Sequence, residues 1–195
     1  MYRETLIPAL GVLVAFVGWF LRMVYDDIMA RPKITGTIRT VLVGKSQLDR
    51  TDRTSFLVYA FLVNKRRAPV AIWDYELELN SGNGFERVAR VYGEVPNLTF
   101  TTNSGKNIDL KLRENMICRR NTTSQFGVPT EGFVLFAGDP SLKEKRIKRY
   151  RLTCVDAFGK RHLIVRDGGT TELELIALTE RLNVDIPISE IAVKR

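Results

Sequence analysis

A run without charged residues near the start of the chain constrains its fold most strongly. Residues 6–21 read LIPALGVLVAFVGWFL. A bilayer core about 30 Å thick is crossed by roughly 20 apolar helical residues, because each residue adds about 1.5 Å. Extending the run to Tyr25 reaches that length and includes Arg22, whose long stem lets its charge lie among headgroups. We therefore predict a transmembrane anchor at residues 1–25, with Trp19 and Tyr25 suited to the membrane interface.

Two other interpretations of this segment are a cleaved signal peptide and a buried core helix. A signal peptide needs small residues before its cleavage site, whereas residues 25–32 read YDDIMARP. An apolar helix that starts the chain and ends in charges is also atypical of a core helix. Lys and Arg close to a span favour the cytoplasm, and more of them follow the segment than precede it. The soluble part is thus predicted on the cytoplasmic side.

After a polar linker at residues 26–33, the hydrophobic pattern changes to period two. Residues 55–64 are apolar at both parities, as in a central strand covered on both faces. Residues 70–79 alternate instead, which predicts one apolar face and one wet face. The apolar set is Ala71, Trp73, Tyr75, Leu77 and Leu79. About eight such segments, with turn signals between them, predict an antiparallel β-sandwich or barrel at residues 34–167.

Residues 168–195 form a C-terminal tail. Thr171 and Glu174 fit a capping box, which favours a short helix. A strand through Leu173 and Leu175 fits as well. The apolar residues 184–193 suit docking on the sandwich or on a partner.

The side chains that commonly carry catalysis are few. The sequence has one histidine, His162, and two cysteines, Cys118 and Cys154. His162 lies in a predicted strand without an adjacent nucleophile, so we predict a surface histidine. The cysteines predict buried free thiols, or one disulfide if the domain faces an oxidising space. We assign no catalytic, cofactor-binding or metal-binding residue, and we expect a protein that is not an enzyme.

Three carboxylates alternate along one predicted strand, at Asp74, Glu76 and Glu78. Clustered carboxylates can bind a cation such as calcium, and carboxylates alone can serve a hydrolase. The solvated face of an amphipathic strand explains the same spacing and is our preferred interpretation.

The densest basic run is residues 143–151, KEKRIKRYR, in a chain of formal charge +8. Such a cluster near an anchor is suited to anionic lipid headgroups, although it also fits the protection of a sheet edge. Nucleic acid is disfavoured because no aromatic platform is interleaved with the charges. The candidate contacts with an anionic surface are Lys143, Lys145, Arg146, Lys148, Arg149 and Arg151.

The order of these motifs resembles a known type of domain. Residues 56–64, Pro69, residues 73–79 and Ser81-Gly82 are similar to the opening of immunoglobulin-like sandwiches of the late-embryogenesis-abundant type, and of bacterial membrane-attached Ig-like domains. Residues 129–136 and 150–159 resemble their later strands. The Asn-Pro pair common in the plant members is absent, since Lys65 follows Asn64. The resemblance implies a non-enzymatic binding or structural module.

These patterns together predict a single-pass membrane protein that presents an Ig-like β-sandwich for binding or scaffolding at the membrane surface. A protein partner is expected, and no cofactor. The alternative is an accessory subunit of a larger membrane complex that docks through the C-terminal tail. A carboxylate-based hydrolase ranks below both.

Overall fold

A computed structural model describes residues 3–48, 52–92, 97–102, 105, 107–117 and 122–169. In that part of the chain one long helix precedes ten β-strands, with a four-residue helix and a 3-10 turn among them. The elements are α1 Arg3–Ala30, β1 Ile34–Ser46, β2 Thr54–Asn64, β3 Val70–Asn80, β4 Phe85–Arg90, β5 Asn97–Thr102, β6 Asn107–Lys111, α2 Leu112–Asn115, β7 Thr122–Ser124, β8 Pro129–Gly138, the 3-10 turn Pro140–Lys143, β9 Arg149–Asp156 and β10 Arg161–Asp167.

The predicted N-terminal helix is present and extends beyond its predicted end. It continues to Ala30, through most of the predicted linker, because Arg22–Asp26 and Asp27–Arg31 form pairs one turn apart. Pro32 then disfavours a further turn. Among the described residues, no helix combines the length and apolar character that crossing a bilayer requires. The predicted helix is therefore confirmed from Arg3 to residue 25, whereas the predicted membrane span is not supported.

The strands pair antiparallel in the order β10-β9-β3-β4-β8-β2-β1-β5-β6, and β7 pairs with the start of β3. The first four residues of β4 pair with β3, and its last two pair with β8. This change of partner joins the two groups of strands. β10 also lies against β1, because Arg166 Nη1 donates to the carbonyl of Ile38 at 2.8 Å. The prediction of a mainly antiparallel β-fold is confirmed, whereas the Ig-like sandwich of about eight strands remains a prediction.

Two hydrophobic clusters lie on opposite faces of β2. Phe56, Val58, Ala60 and Leu62 belong to the first cluster, which they share with the inner faces of β3, β9 and β10. Leu57 and Tyr59 belong to the second, where the β5–β6 hairpin covers the other face with Leu98, Phe100, Ile108 and Leu110. This arrangement confirms the prediction of a central strand covered on both sides.

The predicted alternation in β3 is wrong at its beginning. Val70 and Ile72 are buried, Trp73 is exposed, and burial resumes at Tyr75. The pairing of β3 with β9 shifts between Ile72 and Asp74, so an additional residue is accommodated in a bulge. Because side chains alternate between the two faces of a strand, this one additional residue moves the side chains of residues 70–72 to the face opposite to the predicted one.

Candidate functional site

The β-domain has two ends that differ in their loops, and strand pairing defines both. Ile34 pairs with Asn64, and Val63 pairs with Pro129. The helix-side end therefore comprises residues 31–33, 64–69, 125–128 and 157–160. At the other limit, Thr54 pairs with Gly138, and Asn80 with Arg149. The far end comprises residues 47–48, 52–53, 81–84 and 139–148 of the described chain.

The predicted basic contacts lie at and next to the far end. Lys143 ends the 3-10 turn, Lys148 precedes β9, and Arg149 and Arg151 begin β9. β2 has 11 residues, so about 33 Å separates them from the exit of the helix at a rise of about 3.3 Å per residue. Contact of these residues and the helix with one flat membrane would require the domain to lie on its side. Their role in binding an anionic surface remains a prediction.

Half of these basic side chains form ion pairs in the described structure. Arg151 binds Glu78 at 3.1 Å and stacks over the Phe85 ring at 3.7 Å. Lys145 approaches Glu86 at 3.8 Å, and Arg149 pairs with Asp167. Lys143, Arg146 and Lys148 are exposed and form no ion pair with a described residue. The far end is thus a mixture of charges rather than a uniform positive surface.

The three predicted carboxylates lie near one another on β3, and each faces an arginine. Asp74 pairs with Arg90, and Glu78 pairs with Arg151. Glu76 lies between Arg87, at 2.9 Å, and Arg161. Guanidinium groups thus supply the positive charge that a cation would supply. This arrangement favours the preferred interpretation, a charged strand face, over calcium binding.

The structure also contains a cluster around Asp74 that the sequence did not predict. The Arg90 side chain is only 4% exposed, and its Nη1 lies 2.5 Å from Asp74 Oδ1. The Tyr92 hydroxyl donates to the same oxygen at 2.9 Å, and the Arg90 guanidinium stacks over the Tyr92 ring. Burial disfavours the charge on Asp74, but hydrogen bonds from Arg90, the Tyr75 N–H and Tyr92 hold the pKa of its carboxyl below the usual value. The cluster lies directly next to the bulge in β3.

The prediction that His162 lies on the surface is wrong. His162 is 6% exposed and joins the β9–β10 turn to the start of β1. The Ile34 N–H donates to Nδ1 at 3.3 Å, so the proton of neutral His162 is on Nε2, 2.9 Å from Asp156 Oδ2. The other oxygen of Asp156 accepts from the backbone N–H groups of Phe158 and Lys160. The histidine is therefore part of a closed structural network.

Cys154 is a buried free thiol in the first hydrophobic cluster, as predicted. Burial raises its pKa to about 12, which keeps the sulfur protonated and unreactive at neutral pH. Cys118 lies outside the described residues, as does the C-terminal tail from residue 170.

The surface of α1 is the largest apolar feature outside the two clusters. Its described side chains from residue 12 to residue 21 are exposed throughout. The large apolar ones are Val12, Leu13, Val14, Phe16, Val17, Trp19, Phe20 and Leu21. Contiguous apolar surface of this kind marks a membrane or protein contact.

Comparison with known proteins adds little to this picture. Neither a protein-family model nor a curated protein sequence matches the chain. The structure is similar to the crystal structure of a lipoprotein candidate from Bacillus subtilis, with a TM-score of 0.44 and 16% sequence identity. The match covers 71% of this chain and 38% of that one, so this chain spans well under half of its neighbour. Such a likeness supports no functional statement, and the resemblance to Ig-like sandwiches remains a prediction.

Proposed function

We propose that this protein is a membrane-attached β-domain that acts as a non-enzymatic binding or scaffolding module at the membrane surface. The attachment element is α1. The observation that carries the proposal is the exposed, uncharged apolar surface of Val12–Leu21 on a helix that leads directly into a folded domain. The insertion of this helix as a single pass is the form of attachment that the sequence predicts.

The free energy available from this surface is large. Full burial of a Val, Leu or Phe side chain is worth about 1.5–3 kcal/mol, and these side chains are each about half exposed or more in the present structure. Transfer of the run into a bilayer therefore yields on the order of 10 kcal/mol. That amount outweighs the cost of placing Arg22 near the headgroups, since its stem allows the charge to reach them.

The internal pairing of the reactive groups supports a binding role over catalysis. His162 is hydrogen-bonded through both ring nitrogens, and Glu76 lies between two arginines. A general base or nucleophile must instead be able to reach a substrate. The hydrolase alternative therefore gains no support from the described carboxylates.

Two further predictions stay open. Docking as an accessory subunit depends on the tail after residue 169, which lies outside the described residues. The cytoplasmic location of the β-domain is inferred only from the distribution of Lys and Arg around α1, and it also stays a prediction.

Flotation of the full chain with phospholipid vesicles tests the attachment. We expect the wild-type protein to float with the vesicles and to stay there in high salt. The double variant Leu13→Arg/Val17→Arg should lose most of this binding, because a charge in the apolar core costs about 2.5–3.5 kcal/mol per residue.

The matched control is Leu163→Arg/Val165→Arg, which makes the same change at two exposed apolar residues of β10. This variant should float like the wild type. Equal flotation of both double variants, or no flotation of the wild type, would contradict the proposal.

A further inference from the structure

The loops of the helix-side end form one connected surface. The Asn64 side chain donates to the carbonyls of Ala68, at 2.8 Å, and of Ser124, at 3.2 Å. The Gly127 N–H donates to the Asn64 carbonyl at 2.9 Å. These bonds hold the 64–69 and 125–128 loops together.

The β9–β10 turn is held at the same end by other contacts. Lys160 Nζ donates to the Pro32 carbonyl at 2.8 Å, and the Ala157 N–H donates to the Ala71 carbonyl at 2.9 Å. On the helix, the Arg66 guanidinium contacts Met29 Sδ. All three loops are thus fixed around the point where α1 leaves the domain.

Large apolar side chains project from two of these loops. Phe158 is 80% exposed at the tip of the β9–β10 turn, Phe126 is 53% exposed, and Val128 is 54% exposed. Scattered single exposed hydrophobic residues are common. Here, however, they stand on neighbouring loops at the end from which α1 emerges. The charged helical residues 22–30, which span about 13 Å, lie between that end and the apolar run.

The same loops carry positive charge without compensation. Lys65, Arg66, Arg67 and Lys160 lie in residues 64–69, 125–128 and 157–160, and these three stretches contain no Asp or Glu. The adjacent Asp156 is buried and bonded to His162. Within the described chain, Lys65 and Arg67 are exposed and form no ion pair. At the far end the same holds for Lys143, Arg146 and Lys148, whereas Lys145, Arg149 and Arg151 are paired with carboxylates.

We propose that the helix-side end docks on the headgroup layer of an anionic membrane. Phe126 and Phe158 insert at the boundary between headgroups and acyl chains, and Lys65 and Arg67 lie among the lipid phosphates. This inference rests on the proposed attachment through α1, which brings this end to the bilayer. Basic charge around exposed aromatic residues is the pattern that anionic membrane surfaces attract.

An environment-sensitive fluorophore on the full chain tests the docking. Cys118 is replaced by serine in every protein, and the buried Cys154 is retained. One protein carries the label at Ala157→Cys, beside Phe158, and the other carries it at Asn83→Cys, in the β3–β4 turn of the far end. The vesicles contain 30 mol% phosphatidylserine in phosphatidylcholine, or phosphatidylcholine alone, and flotation is recorded on the same samples.

The label at residue 157 should shift to the blue and brighten with the anionic vesicles, and the change should shrink in 0.5 M NaCl. The label at residue 83 should not respond. Each basic residue near such a surface contributes about 1 kcal/mol, which is about fivefold, so Lys65→Gln/Arg67→Gln should reduce the ratio of docked to free domain on the order of 25-fold. Phe126→Ser/Phe158→Ser should reduce the blue shift. Lys143→Gln/Arg146→Gln, which removes the same charge from the far end, should have no effect.

Several results would overturn the docking. If the protein floats but the labels at residues 157 and 83 behave alike, the surface does not dock, although the attachment through α1 stands. Equal losses from the two double Gln variants would show a general charge effect in place of a defined surface. An equal response to polyuridylate without vesicles would assign the surface to nucleic acid. Absence of flotation would instead remove the proposed attachment itself.

Discussion

The two ends of the β-domain both carry several basic residues, but the surroundings of those residues differ. Near the far end, Lys145, Arg149 and Arg151 each face a carboxylate on a neighbouring element. At the helix-side end, Lys65 and Arg67 have no carboxylate in their own loops, and aromatic residues stand beside them. The density of basic residues in the sequence therefore does not by itself give the charge that a surface presents, and the contact of residues 143–151 with an anionic surface stays a prediction. Charge must be counted together with the partners that the fold supplies.

For carboxylates, it is the helix-side end at which the charged groups have several partners within the protein. Those near the helix-side end, Asp156 and Asp74, are held by several donors and are partly or fully buried. Those near the far end, Asp167 and Glu86, form exposed pairs that solvent and salt screen. The free energy of unfolding should therefore depend far more on Asp156 and Asp74 than on Asp167 and Glu86.

The largest expected effect on stability is at Asp156. In Asp156→Asn, one carboxylate oxygen becomes an NH2 group, which places a donor against either His162 Nε2–H or the backbone N–H groups of Phe158 and Lys160. His162 cannot relieve this by changing tautomer, because Nδ1 accepts from the Ile34 N–H. A buried donor that loses its acceptor costs about 1–3 kcal/mol. The free energy of unfolding, measured by urea denaturation, should fall by about that amount. Asp167→Asn, at an exposed pair on the same hairpin, should cause no measurable change; an equal loss in both variants would remove the proposed difference between the ends.

A smaller effect should appear in the pH dependence of Asp74. Because its pKa is lowered in the folded protein, its contribution to stability is complete above the unfolded value of about 3.9 and is lost as the pH falls through the folded value. Asp74→Asn should therefore be less stable than the wild type at pH 7, and the two denaturation midpoints should converge below about pH 4. Glu86→Gln, at an exposed pair near the far end, should be as stable as the wild type at pH 7. A constant gap between Asp74→Asn and the wild type would show that Asp74 acts through packing instead of charge.

Local sequence patterns predicted the strands well where the burial of a residue follows from the apolar or polar character of its neighbours in the chain. Apolar residues at both parities identified β2 as a covered central strand, and its two faces indeed belong to two different hydrophobic clusters. The bulge at Ile72 and Asp74 could not be predicted in this way, because it exists only in the register of β3 against β9. The burial of His162 likewise depends on Ile34, which is 128 residues away.

The position of the basic residues depends on topology, which a local pattern does not contain. If consecutive strands alternated in direction, β8 would begin at the far end. It begins at the helix-side end, with Pro129 paired to Val63. The alternation is broken between β4 and β5, because both strands run antiparallel to the direction of β1. The same reversal places residues 143–148 at the far end and Phe126 beside the helix. The residues that form each end of the domain can therefore be identified only from the strand order and direction in the folded sheet.

The orientation of the β-domain on a membrane tests the account most directly. Energy transfer from a donor label at residue 157 or at residue 83 to acceptor-labelled lipids measures the distance of each end from the same bilayer. We expect strong transfer from residue 157 and weak transfer from residue 83, since strands of about 33 Å separate the two ends. Equal transfer from both sites would mean that the domain lies on its side or tumbles freely, and stronger transfer from residue 83 would place the far end on the membrane; either result would contradict the account.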